Sequence, residues 1–254
     1  MVKKILSIVV WVITAAALVV LFVFARENYL DKPIQAVTLI PASDSGFVKR
    51  SVLHDDIVSM CTNKKIGTAN MLEIQQKLSD NPWIESNTSY IDLDGHLNVS
   101  FKEYEPQLRI FGKDGHSVYL TNEGTVIPSS SIYTPYVLIA SGNFDLQKDS
   151  VAYQLNDSIQ QDINLINALY WFKAINANSF IKNCTGQLYC NSKNEFELTV
   201  RGIEAKVIVG YTCYAADKLK RLEIFMKQRI NNQETKTFKS INLNFKNQIV
   251  CTKQ

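Results

Sequence analysis

Side chains able to do chemistry are few in this chain and far apart. The three histidines, His54, His96 and His116, are dispersed. His54-Asp55-Asp56 offers an imidazole beside two carboxylates, the start of a metal site, but no further ligand stands nearby, so the trio reads as a charged helix surface. Asp92-x-Asp94-Gly95 has the opening of a calcium loop without its later ligands or terminal Glu, and reads as a hairpin turn. Gly112-Lys113-Asp114-Gly115 fits the G-x-x-G of single-strand nucleic-acid clamps, yet it falls between strand-like segments rather than helices. No G-x-S-x-G, G-x(4)-G-K-[ST], H-E-x-x-H or C-x-x-C occurs.

The five cysteines, Cys61, Cys184, Cys190, Cys213 and Cys251, are odd in number and too few for a disulfide scaffold. A Cys184–Cys190 bridge and free strand-embedded thiols both remain open. Sequons at Asn87, Asn98, Asn156 and Asn183 are about as many as chance places in a chain rich in Asn, Ser and Thr. The sequence thus offers no catalytic, cofactor or metal residues, and its function is expected on exposed surfaces.

Composition narrows the class further. The chain has 254 residues, 46% apolar and 20% charged, which is ample for packed cores and excludes a disordered or collagen-like protein. Lys3, Lys4 and Arg26 account for three of the 27 basic residues, so the remainder carries 24 basic against 24 acidic side chains. A neutral body has no general attraction for nucleic acid.

Ile5 to Ala25 carry no formal charge. As a helix these residues span about 31 Å, the thickness of a bilayer's hydrocarbon core. Lys3 and Lys4 precede the span, so the positive-inside tendency puts residues 1–4 in the cytosol and the body outside. A cleaved signal peptide has a shorter apolar stretch and a small-residue cleavage site, whereas Phe22, Phe24 and Arg26 stand here. The expectation is a single-pass anchor over 5–25, a connector over 26–33, and an exterior body large enough for two domains.

The first domain, 34–105, reads β-α-α-β-β. Ile34–Ile40 is strand-like and stops at Pro41. Ser51–Cys61 places Leu53, Ile57, Met60 and Cys61 at helical spacing. Thr68 is the expected N-cap of a second helix carrying Met71, Leu72, Gln75 and Leu78 on one side. Asn81-Pro82-Trp83 ends it, and strands Thr88–Leu93 and His96–Tyr104 turn at Asp94-Gly95. Leu97, Val99 and Phe101 alternate with polar residues, so one sheet face is packed.

Pro106 opens a strand-rich second domain, 106–254, expected to be antiparallel with helices. Strand candidates are Leu108–Phe111, Val118–Thr121, Thr125–Ile127, Tyr136–Ala140, Gly186–Cys190, Phe196–Val200 and Ala205–Val209. Ser158 with Gln161 forms a capping-box pattern before a stripe of Ile159, Ile163, Ile166 and Tyr170. Asp217–Ile230 reads as an amphipathic helix packed through Leu219, Leu222, Met226 and Ile230, with Lys218, Arg221, Lys227 and Arg229 on the wet side. Ser240–Phe245 and Gln248–Cys251 form a closing hairpin through Lys246-Asn247. Nothing follows to cover it, so this pair is the expected open edge, where another chain can add a strand.

The arrangement resembles the FtsQ/DivIB family of bacterial cell-division proteins, closest to the short forms of Bacteroidetes-type bacteria. Asn81-Pro82-Trp83-Ile84 is similar to the turn after the second helix of the family's POTRA domain, and Glu103-Tyr104-Glu105-Pro106 to its E-x-x-P junction. Tyr119-Leu120-Thr121-Asn122-Glu123-Gly124 resembles a family hairpin, and Ile241–Val250 the terminal strand pair. The resemblance implies an α+β architecture: membrane helix, POTRA domain, then β domain. It also implies a non-enzymatic divisome scaffold in the cell inner membrane, with its body in the periplasm and no cofactor or small-molecule substrate.

Its implied partners are FtsB- and FtsL-type single-pass proteins, bound by strand addition through Ile241, Leu243, Asn244, Phe245, Gln248, Ile249 and Val250. Where the family often has an Arg-aromatic pair, this chain has Asn244-Phe245, which keeps the apolar anchor and drops the charge. The alternative is a POTRA-containing envelope-assembly or export factor that takes extended client polypeptides near Thr88–Leu93. An anchored hydrolase is the remaining class.

Overall fold

The computed structural model describes residues 2–43, 46–147, 151–156, 159, 163–229 and 238–253. The Ser158–Gln161 capping box and Ile230 lie outside the described residues, as do the side chains of Lys3, Lys4 and Arg229. The chain forms two compact units, Met1–Glu103 and Tyr104–Gln254.

The first unit begins with helix α1, Val2–Leu30. Its apolar side chains from Leu6 to Phe24 face outward, and Leu6–Leu30 is long and apolar enough to cross a membrane. The end of α1 is tied to the unit: the Tyr29 hydroxyl donates to the Asp92 carbonyl at 3.1 Å, and Leu30 lies against Gly67.

Strand β1 (Ala36–Pro41), helices α2 (Arg50–Cys61) and α3 (Met71–Ser79), and strands β2 (Ile84–Ile91) and β3 (His96–Glu103) follow, the expected β-α-α-β-β order. β3 lies between β1, to which it is parallel, and β2, to which it is antiparallel. Leu97, Val99 and Phe101 of β3 are buried, and Leu53, Ile57, Ile74 and Leu78 from the two helices pack with them. Removing such side chains from water is the main stabilising term.

Local chemistry moved some boundaries. The cap of α3 is Asn70, whose side chain accepts from the Glu73 amide at 3.3 Å, and not Thr68. Thr68 closes a preceding single turn, Ile66–Thr68, by accepting from the Lys65 amide at 3.1 Å. The buried residues of α3 are Ile74 and Leu78, one turn apart, while Leu72 is exposed. β2 starts at Ile84, four residues before the expected Thr88.

Among the described residues of the second unit, one ten-stranded sheet carries three helices. Its elements are β4 (Pro106–Phe111), β5 (Ser117–Thr121), β6 (Thr125–Pro128), β7 (Leu138–Gly142), β8 (Tyr153–Gln154), α4 (Ile163–Ala177), α5 (Ser179–Cys184), β9 (Thr185–Cys190), β10 (Phe196–Val200), β11 (Lys206–Gly210), α6 (Ala215–Arg229), β12 (Phe238–Asn242) and β13 (Val250–Lys253). The strand order is β13-β12-β11-β10-β9-β7-β4-β5-β6-β8.

The sheet is mixed, not antiparallel: β4–β7, β7–β9 and β11–β12 pair in parallel. α6 intervenes between β11 and β12, a helical crossover that returns the second strand in the same direction. Between β7 and β9 the chain passes through β8, α4 and α5.

The core lies where Leu108, Ile110, Leu188, Leu198, Val207 and Val209 meet the helices. α4 buries Leu165, Ala168, Leu169, Trp171, Phe172 and Ile175, whereas Ile159 and Tyr170 of the expected stripe are exposed. That helix is apolar around most of its circumference, so periodicity could not choose its inward side. β7 ends at Gly142, with φ +116 and the Cys190 carbonyl in the place a Cβ would take.

Candidate functional site at the C-terminal sheet edge

β12 is held on both sides. It runs parallel to β11, with Val207 opposite Ile241, and antiparallel to β13, with Ile241 opposite Cys251. β13 is the outermost strand, and among the described residues no strand lies beyond it. Half of its backbone donors and acceptors therefore point away from the sheet, as an added strand requires.

The closing strands differ in register from the expected ones. β12 ends at Asn242 and β13 begins at Val250, so 243–249 form a connection rather than strand ends and a two-residue turn. Leu243 still donates to the Ile208 carbonyl at 2.9 Å, and the chain then leaves the ladder. Asn242 ends the strand by accepting from the Asn244 amide at 2.9 Å through its side chain, and Asn247 takes φ +56.

The residues expected to bind a partner divide by position. Ile241 and Leu243 are fully buried and belong to the core, so only their backbone is near the edge. Ile249 packs partly on the same core. Asn244 and Gln248 are exposed. Phe245 is 46% exposed and Val250 39%, leaving one aromatic and one branched aliphatic side chain beside the open strand.

Two cations of α6 shape this region, and both were expected on the wet side. Lys218 is instead buried, its Nζ donating to the Val209 and Tyr211 carbonyls at 2.8 Å each and to Asn244 Oδ1 at 3.4 Å. Burial holds its pKa below that of a free lysine. Arg221 donates from Nη1 to the carbonyls of Phe245 (2.9 Å) and Gln248 (2.7 Å), and from Nη2 to that of Leu243 (3.2 Å). Its Nε pairs with Asp217 at 3.0 Å. One guanidinium thus fixes three carbonyls of a connection that has no ladder of its own. The available sequence signal was Lys218, which stands four residues before Leu222 and so on the packed stripe.

The chemistry-bearing residues elsewhere stay apart. Among the described residues no three His, Cys, Asp or Glu side chains form a group that could hold a metal. His54 lies 3.5 Å from the neighbouring Asp55 carboxylate. Asp92 accepts from the amides of Asp94 (3.0 Å) and His96 (2.9 Å), which makes it a turn residue and lowers its pKa chiefly through the His96 amide. The Gly112–Gly115 stretch is the β4–β5 turn. All five cysteines are free thiols. Cys184 ends α5 and Cys190 ends β9, so the extended strand between them holds the two about 20 Å apart, far beyond disulfide reach.

No curated protein matches the chain. A family model described as FtsQ/DivIB, C-terminal related, matches residues 105–252, more than half of the chain and nearly the whole ten-stranded unit. The chain therefore belongs to the FtsQ/DivIB-related family of bacterial cell-division proteins.

Proposed function

We propose that the protein is a non-enzymatic scaffold of the divisome whose β13 edge receives a strand from FtsB- or FtsL-type single-pass partners. The single observation that carries this reading is the position of β13, last in the sheet with no strand beyond it among the described residues. Phe245 and Val250 supply apolar contact next to the backbone ladder. An aromatic anchor covered by a partner contributes about 2 kcal/mol or more.

In this reading α1 spans the inner membrane once, with its N-terminus in the cytoplasm and both units in the periplasm. The β-α-α-β-β unit acts as a POTRA domain over 34–105, joined to the β domain at 106. A second reading, an envelope-assembly factor that takes extended clients, draws on β2, an eight-residue strand at the rim of the smaller sheet.

Reconstituted full-length protein and soluble FtsB/FtsL segments test both. Phe245→Asp, and separately truncation after Ile249 to remove β13, are each expected to weaken binding at least tenfold. Unchanged affinity in both variants would remove the edge assignment. Filamentous cells on depletion support the division role, and defective outer-membrane assembly the second reading.

A further inference from the structure

The ten-stranded unit carries a recess far from β13. A groove of about 490 Å³ opens where β4, β7 and β9 begin, beside α4 and α5. β7 stands five strand spacings from β13, roughly 24 Å across the sheet. A short segment on one of these sites cannot reach the other.

The lining has a definite chemistry. Its apolar part includes Leu138, Ile139, Phe172 and Ile175, of which Ile139 is 40% exposed. Tyr136 stands at the groove with its side chain 99% exposed, the most exposed large hydrophobic residue described. An open aromatic beside an apolar recess marks a contact surface. Lys182 and Arg201 supply two positive charges, and the lining holds no carboxylate. Neither cation has an ion-pair partner among the described residues. Gln107, Asn176 and Asn183 add side-chain amides, which can pair with the N–H and C=O groups of an extended chain.

We propose that this groove is a second binding site, and that its occupant is an acidic peptide segment of a partner protein carrying at least one apolar side chain. The cations answer its carboxylates, the recess its apolar residue, and the amides its backbone. Two cations are too few for a nucleic-acid backbone. A lipid phosphate would accept from the cations and the amide N–H groups but offers no donor to the three amide oxygens. The site goes beyond the edge interaction and does not depend on it.

The test uses the full chain in nanodiscs of neutral phosphatidylcholine, panned with a random peptide library. Expected is enrichment of peptides rich in Asp and Glu with an aliphatic or aromatic residue. Their binding should fall at least tenfold in the Lys182→Glu, Arg201→Glu double variant. Phe245→Asp should leave it unchanged, and FtsB/FtsL segments should not compete. Three outcomes overturn the proposal: no peptide enriched above background, enrichment without acidic bias, or acidic peptides that bind the double variant equally well. Phosphatidylglycerol vesicles are assayed in parallel. Charge-dependent vesicle binding without peptide enrichment assigns the groove to lipid and also overturns it.

Discussion

The Arg221 guanidinium donates to the Gln248 carbonyl oxygen at 2.7 Å, from the middle of a helix to the last loop before the terminal strand. With its bonds to Phe245 and Leu243, this makes a side chain of α6 the organiser of the connection that presents Phe245. The edge is therefore built by tertiary contacts as much as by the hairpin itself.

Arg221→Gln is expected to loosen residues 243–249 while leaving the core intact. Hydrogen bonds from a charged donor contribute about 1.5–3 kcal/mol each at most, and those to a partly exposed loop less. A stability loss of about 1–2 kcal/mol is expected in denaturant titration, with faster amide exchange over 245–249. Arg221→Lys should restore only part of this, since an ammonium cannot fork to several carbonyls. Equal exchange rates in wild type and both variants would contradict the tie.

Lys218 links stability to pH. Burial lowers its folded-state pKa, so between that value and the unfolded value of about 10.4 the unfolded chain binds more protons. Its contribution to stability is therefore least favourable below the depressed pKa and rises with pH through that window. Lys218→Met should flatten this part of the curve in unfolding experiments at stepped pH. A rise of the same size in the variant would show that another group is responsible.

Gly142→Ala is expected to be among the most damaging single substitutions. The residue combines φ +116 with the Cys190 backbone where the new methyl would go, so strand pairing must shift. The expected loss is about 3 kcal/mol or more, read as a lowered unfolding midpoint. Gly115→Ala, at φ +82 with open space around it, should cost about 1 kcal/mol from backbone strain alone.

The cysteines should separate by reactivity. Cys213 is exposed, while Cys190 is fully buried with its thiol pKa pushed up to about 11 by desolvation. Burial also raises that of Cys61. Because the thiolate is the reactive form, alkylation near pH 8 should label Cys213 and spare Cys190 and Cys61 until the chain is unfolded. Mass spectrometry of labelled peptides checks this, and labelling of Cys190 in the folded state would contradict the packing.

Much of the architecture is legible in the residues. The apolar run behind Lys3 and Lys4, the alternation of Leu97, Val99 and Phe101, and the Asp94-Gly95 turn are local patterns, and each appears as a helix, a packed strand or a reversal in the fold. What local pattern could not supply was direction, inward side and register. α4 is apolar nearly all round, and only its neighbours select Trp171 over Tyr170 for the core.

Lys218 and Arg221 look like solvated helix charges until β11 and the 243–249 connection bring carbonyls to them. Asn242 ends its strand through one side-chain bond that no periodicity reports. Sequence determined which segments are apolar, where the backbone must turn and that a long apolar helix stands at the N-terminus, since these follow from each residue's own preferences. Tertiary structure alone decided the parallel pairs, the buried amine and the outermost place of β13, because those depend on which distant segments meet.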